Sequence, residues 1–312
     1  MKAFLKQLFV AGGGLRGARA AHTSSLRILM YHRFAGDAGV VQQRLRAQLR
    51  HIRKHYRPVR LSSIDEPHGP REIAVTVDDG YLDFATAWPV FREEGIPVTL
   101  YAVSGFLDRR LWLWPDLLDY ALKSTKLSML DVPLPDGSRF RGAPNTAFDP
   151  IAQALIRCSD QDRRSYLICI FELIRVGPPT DIPAAYAPLE WAQLKRMAEE
   201  GLDVGAHTRT HPILSRLASF QEKQDEIAGS KADIEKEIGM PVQHFCYPNG
   251  KDADFDDDCV RAVEAAGFAS AVTAVRGLNA PGADRWRLRR IGVDPSLDPA
   301  MFGMEAAGFR MT

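Results

Sequence analysis

The sequence predicts an α/β protein whose seven parallel strands form a closed or nearly closed sheet, with one helical insertion. Three observations lead to this fold class. Short apolar runs alternate with longer helical patterns, polar clusters directly follow two of these runs, and one connection is too long for a simple loop. Strands that alternate with helices pair in parallel, and their carboxyl ends gather at one mouth of the sheet. We therefore expect the polar clusters to meet there.

Seven segments have the β-branched and apolar composition of strands. They span residues 27–31, 73–77, 97–103, 202–206, 242–247, 269–274 and 288–293. Helical patterns lie between them, first as an apolar stripe from Val41 to Ile52 and then over residues 81–94, 189–200, 219–238 and 256–266. Pro188 and Gly201 flank the segment 189–200, as expected of residues that begin and end a helix.

Residues from about 104 to 187 do not fit a strand-to-helix connection, and we predict that they form an insertion with its own helices. Apolar positions in 114–122, 151–156 and 166–174 indicate two or three helices, and residues 134–137 indicate a turn between extended pieces. We expect the insertion to cap the mouth of the barrel. Its Trp112 and Trp114 either stack on a sugar face or anchor the core of the insertion.

The composition indicates an ordinary globular protein, with 46% hydrophobic residues, 25% charged residues and a net charge of +1. This small net charge provides no general attraction to nucleic acid. A locally basic stretch over residues 44–60 is either a solvated helix face or a surface for anionic lipid or glycan. The four cysteines show no close paired spacing, so they indicate no compartment.

The N-terminal segment, residues 1–25, begins like a signal peptide, but the glycines at 12–14 and Arg16 interrupt its apolar core. No apolar run in the sequence is long enough to span a bilayer. We expect an uncleaved segment on a cytoplasmic protein, with peripheral membrane association or secretion as alternatives. Residues 26–312 then form the barrel together with its insertion.

The first polar cluster ends an apolar, β-branched strand in two adjacent carboxylates, Asp78 and Asp79, followed by Gly80. Two neighbouring carboxylates repel each other unless one of them binds a cation or the two have different roles. One could hold a metal while the other transfers a proton. The alternative is an acidic turn, because Asp-Gly is a common turn dipeptide.

The second polar cluster follows the strand 202–206 and contains His207 and His211. Two histidines four residues apart point the same way if one helical turn lies between them, and such pairs either bind a divalent metal or lie on solvated helices. With Asp79 they would provide two imidazoles and one carboxylate, which leaves a coordination position for water, as a hydrolytic site requires. The two clusters together favour a catalytic metal site.

These clusters resemble the motifs of the polysaccharide deacetylases, the NodB-like carbohydrate esterases. The family's Thr-Phe-Asp-Asp-Gly is matched by residues 76–80, and its His-Ser/Thr-x-x-His is matched by residues 207–211. A third motif, Arg-x-Pro-Tyr-Gly or Ala-Tyr-Pro-Tyr-Gly, is matched in part by residues 246–250, with departures at Cys246 and Asn249. The resemblance covers most of the chain from about Arg27 to Asp294 outside the insertion, and it implies a distorted (β/α)7 TIM-like barrel.

The resemblance also implies roles for individual residues. Asp78 would be the catalytic base, and the backbone N–H of Asn249 would stabilise the oxyanion. The metal would be Zn²⁺, with Co²⁺ or Ni²⁺ as alternatives, and its ligands would be Asp79, His207 and His211. The expected substrate contacts are aromatic: Tyr81, Tyr247, Trp112 and Trp114.

The general acid needs a separate source, because the family's usual Leu-x-His motif near the C-terminus is absent and no histidine follows His244. A subgroup of the family uses the histidine of an N-terminal Tyr-His motif, and His32 after Tyr31 matches it. Imidazole suits proton transfer near neutral pH, although His32 could instead only pack at a strand end.

Arg290 could replace the missing arginine near Asp78, unless strand alternation faces Arg289 inward.

We therefore expect a hydrolase that removes N-acetyl groups from amino sugars of a polysaccharide or of a lipid-linked glycan precursor, as in exopolysaccharide biosynthesis. One alternative is a deformylase or O-deacetylase of a lipid-linked sugar. Another is a non-catalytic glycan-binding protein that keeps the same fold. The expected partner is an N-acetylated glycan and not a nucleic acid, and the sequence leaves the oligomeric state open.

Overall fold

The computed structural model describes residues 22–63, 69–109 and 111–309. Most of the N-terminal segment, residues 1–21, lies outside these ranges, so the expectation about that segment stays a prediction. Within the described ranges, no helix has both the length and the apolar composition needed to cross a bilayer.

The centre of the molecule is a closed barrel of parallel strands. In chain order the strands are β1 (Arg27–Tyr31), β2 (Arg57–Pro58), β3 (Glu72–Val77), β4 (Thr99–Ala102), β5 (Leu130–Pro133), β6 (Arg139–Gly142), β7 (Asp203–Ala206), β8 (His244–Cys246), β9 (Ser270–Arg276) and β10 (Leu288–Gly292). Around the barrel the order is β1, β10, β9, β8, β7, β4 and β3, and β1 closes the ring by pairing with both β10 and β3. The predicted seven-stranded barrel is confirmed, whereas the short β2, which pairs with β3, was not predicted.

Helices surround the barrel and build the insertion. They are α1 (Ala38–His55), α2 (Phe84–Glu94), α3 (Trp114–Ser124), α4 (Phe148–Arg157), α5 (Asp160–Leu173), α6 (Trp191–Glu199), α7 (Phe220–Ile238), α8 (Asp257–Ala265) and α9 (Pro299–Ala306). The sequence did not predict α9, which is short and begins with a proline after the capping residue Asp298. The predicted helix over 81–94 begins only at Phe84, so Tyr81 is free to face the mouth of the barrel.

The helix α1 shows how the outer layer forms. The Asp37 side chain accepts a hydrogen bond from the Val40 N–H at 3.0 Å and so caps the first turn. Its apolar stripe, which includes Leu45 and Leu49, is fully buried against the barrel and α2. Burying each such leucine contributes about 1.5–3 kcal/mol. Arg50 donates to the buried Glu94 of α2, so part of the basic stretch is engaged in ion pairs.

The strands bury both of their faces, as expected for a parallel barrel. Residues that point outward from the barrel join the main core beneath the helices. Residues that point inward form a smaller cluster, which includes Ile28, Ala74, Tyr101, Cys246, Val272 and Leu288. This alternation determines which strand residues reach the interior of the barrel and the mouth above it.

The insertion has its own hydrophobic core. Its helices α3, α4 and α5 pack around a cluster that includes Leu118, Ile151 and Ile170, and β5 pairs with β6 in an antiparallel hairpin. Ile213 belongs to the same cluster although it follows β7 of the barrel. The insertion therefore packs directly on the loop that contains His211.

Candidate active site

The two adjacent aspartates leave the carboxyl end of β3 in a tight turn. The Asp78 N–H donates to the carbonyl of Tyr31 at 3.0 Å, which extends the pairing of β3 with β1 by one residue. Asp79 then has φ 77° and Gly80 has φ 92°. A left-handed conformation at a residue other than glycine costs about 1–3 kcal/mol and is concentrated at functional sites. The turn sends the two carboxylates in different directions.

Asp79 lies beside both histidines of the second cluster. Its Oδ1 atom is 3.4 Å from Nε2 of His207 and 3.5 Å from Nε2 of His211, and all three side chains are buried. These ligand atoms lie within 4.8 Å of one another. Burial raises the pKa of Asp79, but the hydrogen bond to His207 and the charge of His211 outweigh it and hold the pKa below its ordinary value. The group thus offers one carboxylate oxygen and two imidazole nitrogens, which are suitable zinc ligands.

The second ring nitrogen of His207 also has the contact expected of a metal-binding histidine. Its Nδ1 atom is 2.7 Å from the backbone carbonyl oxygen of Cys246. A proton on Nδ1 would donate to that carbonyl and leave the lone pair of Nε2 free for a metal, which is the usual arrangement at metal-binding histidines. The donor set and its outer contact therefore fit a divalent cation.

The backbone between the two histidines is not the helical turn that would make two histidines at this spacing point the same way. Residues 207–211 form an irregular loop in which Thr208 has φ 68° and His211 has φ 57°. The Thr208 hydroxyl accepts a hydrogen bond from the His211 N–H at 3.0 Å, so the loop is held by a side chain and not by helical bonds. The two imidazoles still converge, with ring centres 5.0 Å apart.

A second group of possible ligands, Asp78, His207 and Cys246, suits a cation less well. Both oxygens of Asp78 are already bound by the guanidinium of Arg290, and the same guanidinium donates to the Cys246 sulfur at 3.1 Å. Burial also raises the pKa of the Cys246 thiol, which disfavours the thiolate that would bind a metal. A cation therefore fits better beside Asp79 than beside Asp78.

Asp78 and Arg290 form a buried, bidentate ion pair. The Nη1 and Nη2 atoms of Arg290 lie 2.6 and 2.7 Å from Oδ1 and Oδ2 of Asp78, and both side chains are almost fully buried. Burial raises the pKa of Asp78, but the charges of Arg290 and His32 outweigh it, so the carboxyl pKa lies below its ordinary value. Strand alternation thus faces Arg290 inward and leaves Arg289 exposed.

His32 lies at the outer side of the same carboxylate. It follows β1, and its Nε2 atom is 3.5 Å from Oδ2 of Asp78. Its side chain is 46% exposed, whereas that of Asp78 is 2% exposed. His32 is therefore positioned between Asp78 and solvent, at the mouth of the cavity that both line.

The third motif forms a tight turn after β8. Asn249 has φ 55° and Gly250 has φ 63°, and both follow Pro248. A Cβ at Gly250 would lie 2.7 Å from the Ala274 nitrogen, so the turn packs too closely on β9 for any larger residue. Asn249 and Tyr247 line the cavity with the aspartates, and the Tyr247 ring stacks on Phe255.

The cavity at the mouth has a volume of about 290 Å³. It brings together most of the residues that the sequence predicted for the site: His32, Asp78, Asp79, Tyr81, His207, His211, Tyr247, Asn249 and Arg290. Trp112 and Trp114 do not line it. Trp114 is buried in the core of the insertion, and Trp112 packs on Tyr120 and Tyr186.

The sequence did not reveal Asp116, an acid of α3 that also lines this cavity. It accepts a hydrogen bond from the Tyr81 hydroxyl at 2.8 Å, and the Arg33 guanidinium lies over the Tyr81 ring at 4.0 Å. Burial raises the pKa of Asp116 to about 7, with the charge of Asp79 adding to the effect and the Tyr81 hydrogen bond opposing it. No motif marks Asp116, because only the folding of the insertion places it here.

A closed parallel barrel with a carboxylate and two histidines at the carboxyl ends of its strands has the architecture typical of metal-dependent hydrolases. The chain belongs to the polysaccharide deacetylase family, because the model of that family matches residues 65–271, more than half of the chain. The resemblance found in the motifs is thereby confirmed.

One curated relative is YxkH of Bacillus subtilis (strain 168), which is named provisionally as a polysaccharide deacetylase. The two chains are 28% identical over 111 residues, which cover 36% of this chain and 38% of YxkH. The match thus spans well under half of that protein.

Several solved structures share the fold. The deacetylase PplD of Streptococcus pyogenes, solved in complex with acetate, has 16% identity and a TM-score of 0.57, over 89% of this chain and 96% of PplD. IcaB of Ammonifex degensii has 18% identity and a TM-score of 0.57, over 91% and 97% of the two chains. The BpsB deacetylase domain of Bordetella bronchiseptica has 17% identity and a TM-score of 0.54, over 87% and 96%.

Proposed function

We propose that this protein is a metal-dependent N-deacetylase that acts on N-acetylated amino sugars of a polysaccharide or of a lipid-linked glycan precursor. The observation that carries the proposal is the different environment of the two adjacent aspartates. Asp79 adjoins two imidazoles, whereas Asp78 adjoins a guanidinium and the more exposed His32. One carboxylate is thus available for a cation while the other remains available for proton transfer.

Asp79, His207 and His211 are the residues that would hold the metal, which we propose to be Zn²⁺, with Co²⁺ or Ni²⁺ as alternatives. When bound there, the metal lowers the pKa of a water molecule and polarises the acyl carbonyl.

Asp78 would accept the proton of the attacking water. Its ion pair with Arg290 keeps the carboxyl ionised and fixes its orientation towards the cavity. A charge held in place by two hydrogen bonds needs no reorganisation when the proton moves. The cost is a weaker base, because the depressed pKa lowers the affinity of Asp78 for the proton.

His32 would donate the proton that the leaving amine needs. It reaches Asp78 from the open side of the cavity, so the proton that Asp78 takes from the water could pass to His32.

We expect His32→Gln to slow acetate release from N-acetylated sugars by about 100-fold, a typical effect of losing a general acid. The loss should be much smaller for p-nitrophenyl acetate, whose leaving group needs no proton. An equal loss on both substrates would contradict this role.

The backbone N–H of Asn249 would stabilise the negative oxygen of the tetrahedral intermediate. The tight turn at Asn249 and Gly250 is fixed against β9 by a hydrogen bond from the Ala274 N–H to the Gly250 carbonyl at 2.8 Å. A backbone donor fixed in this way does not depend on the side chain at position 249. The departure from the family's usual tyrosine is therefore compatible with catalysis.

Acetate release from short N-acetylglucosamine oligomers tests the proposal. The protein is first treated with a chelator and then assayed with and without added zinc or cobalt. Release that depends on the metal supports N-deacetylation. Release of formate from a formylated sugar, or of acetate only from an O-acetylated sugar, would support the deformylase or O-deacetylase alternative. A stoichiometrically bound metal with no turnover of any acylated sugar would support a glycan-binding protein.

A further inference from the structure

One carboxylate on the wall of the candidate active site has no role in the mechanism described so far. Asp116 lies in the first turn of α3, in the insertion, and it lines the same cavity as Asp78 and Asp79. Its neighbours Leu113 and Pro115 line this cavity as well. The insertion therefore contributes a charged group to the cavity that holds the proposed base and the proposed metal ligands.

The two carboxylate oxygens of Asp116 have different surroundings. Oδ2 accepts a hydrogen bond from the Tyr81 hydroxyl at 2.8 Å. Oδ1 has no hydrogen-bond donor among the described residues, yet it is not one of the unpartnered atoms that are sealed from solvent. The residue as a whole is only 9% exposed, and the opening that it lines is the cavity. Oδ1 is thus the oxygen that a ligand in the cavity can reach.

Asp116 also forms no ion pair within the described part of the chain. The Arg33 guanidinium lies over the Tyr81 ring, but it donates to Asp83 at 2.7 Å and to the Ala185 carbonyl at 2.5 Å. Burial is the main cause that raises the pKa of Asp116 to about 7. A buried carboxylate without a paired cation costs free energy, and such groups in a cleft are concentrated at functional sites.

Tyr81 holds the Asp116 carboxylate in place. The Tyr81 ring packs edge to face on Phe106, with ring centres 5.3 Å apart, and the Arg33 guanidinium covers it at 4.0 Å. The hydroxyl of this fixed ring donates to Oδ2 of Asp116, which orients the carboxylate. A group that is already ordered loses less conformational entropy when a ligand binds to it. Tyr81 is therefore a positioning residue for Asp116.

We propose that Asp116 is a substrate-binding residue whose Oδ1 atom forms a hydrogen bond with a hydroxyl of the sugar that bears the acyl group. The inference rests on the proposed function and adds a contact that selects the sugar. The cavity of about 290 Å³ is near the lower limit of about 300 Å³ for small-molecule pockets, so a sugar that reaches Asp79 lies close to Asp116. A hydroxyl both donates and accepts, so it suits a carboxyl group in either protonation state, whereas an ammonium group suits only the ionised state.

Deoxy sugars test this contact through binding. The ligands are methyl N-acetyl-β-glucosaminide and its 3-deoxy, 4-deoxy and 6-deoxy analogues, and ligand-observed NMR measures their affinities for the zinc-loaded chain. In the wild type, one analogue should bind about tenfold more weakly than the parent glycoside, because it lacks the donor to a charged oxygen. In Asp116→Ala the parent should bind about tenfold more weakly, and that analogue should bind as well as the parent, because the two losses concern the same contact.

Asp119→Ala is the matched control, because Asp119 is the next acid of α3, accepts a hydrogen bond from the Tyr186 hydroxyl and does not line the cavity. It should keep the wild-type preference among the four ligands. If Asp116→Ala does not fold, it is combined with Tyr81→Phe and compared with Tyr81→Phe alone. Removing both partners of a buried hydrogen bond costs less stability than removing one of them.

Two results of the binding experiment would overturn the proposal. The first is a penalty for the deoxy analogue that persists undiminished in Asp116→Ala, which would place the partner of that hydroxyl elsewhere. The second is a wild type that binds all four ligands equally or binds none of them.

Acetate release then separates sugar recognition from a purely structural role. Asp116→Ala should raise KM for N-acetylglucosamine oligomers by about tenfold with a much smaller change in kcat. It should leave the hydrolysis of p-nitrophenyl acetate unchanged, because this substrate has no sugar. An equal loss on both substrates would show a structural role and would overturn the proposal. If the glycosides bind with the preference that depends on Asp116 but no acetate is released, the proposed N-deacetylation fails while the recognition by Asp116 stands.

Discussion

Two aspartates that are neighbours in the chain have different basic partners. Asp79 faces two imidazoles, and Asp78 faces Arg290 through two hydrogen bonds. The sequence predicted that such a pair needs different roles, because two free carboxylates side by side would repel each other. It left open which arginine would reach Asp78, since Arg289 and Arg290 point to opposite faces of β10 and their positions follow only from the strand's register.

Arg290 is the residue whose removal should affect both stability and activity. We expect Arg290→Met to lower the free energy of unfolding by about 3–5 kcal/mol, because it leaves the Asp78 carboxylate buried without its main partner. The pKa of Asp78 should then rise, and acetate release should fall by about 100-fold or more. Urea denaturation and the acetate assay measure the two effects.

Arg289→Met is the matched control for this substitution, because Arg289 precedes Arg290 in β10 and is exposed. It should change the free energy of unfolding by less than about 0.5 kcal/mol. Near wild-type activity in Arg290→Met would contradict the role given to the ion pair. If that variant does not fold, Arg290→Lys provides the activity measurement.

The depressed pKa of Asp78 predicts how stability depends on pH. A carboxyl whose pKa is lower in the folded state stabilises the fold above its ordinary value of 3.8 and loses this contribution as the pH falls towards the folded-state pKa. The difference in free energy of unfolding between the wild type and Asp78→Asn should therefore be constant above about pH 5 and shrink below 3.8. Denaturation in the presence of a chelator removes any contribution from metal release. A difference that grows as the pH falls would contradict the assignment.

At the scale of elements, β7 connects the barrel interior to the loop that contains His207 and His211. Gly205 of β7 pairs with Tyr101 of β4, and the Tyr101 ring fills the space that a side chain at 205 would occupy. The same ring lies 5.9 Å from the guanidinium carbon of Arg290. The position of one glycine is thus coupled through an aromatic ring to the arginine that holds Asp78.

We expect Gly205→Ala to destabilise the protein by about 1–3 kcal/mol through overpacking and to weaken zinc binding. The added Cβ would lie against the Tyr101 ring and 2.9 Å from the His244 carbonyl oxygen, so β7 must shift and displace His207. Thermal denaturation and a zinc titration measure the two effects.

Gly177→Ala is the control for Gly205→Ala, since a Cβ at Gly177 would have no heavy atom within 4 Å. It should leave both the melting temperature and the zinc affinity close to those of the wild type. Unchanged zinc affinity in Gly205→Ala would show that β7 does not set the position of His207.

The loop after β7 also shows a limit of local sequence rules. From the spacing alone, His207 and His211 would point the same way if a helical turn lay between them, but Thr208 and His211 adopt left-handed conformations and the Thr208 hydroxyl accepts the hydrogen bond from the His211 N–H. The convergence of the two imidazoles was still predicted, because the strand that precedes the loop directs it towards the barrel mouth. The loop also packs on the core of the insertion through Ile213, a contact that no local pattern contains.

At the scale of the whole molecule, the alternation of strands and helices was enough to predict the barrel. The strands of a parallel barrel are buried on both faces, so their apolar runs are visible in the sequence. The contribution of the insertion to the site was less predictable. Asp116 of α3 lines the cavity together with residues of the barrel, and it belongs to no motif.

The most direct test of the central claim compares Asp78→Asn with Asp79→Asn for both bound zinc and acetate release. We expect Asp78→Asn to keep about one zinc per chain while acetate release falls by about 100-fold or more, because the base is lost and the three proposed ligands remain. Asp79→Asn should lose both, because it removes the one carboxylate among the three proposed ligands. Rapid acetate release by Asp78→Asn, or undiminished zinc binding by Asp79→Asn, would contradict the division of roles between the two aspartates.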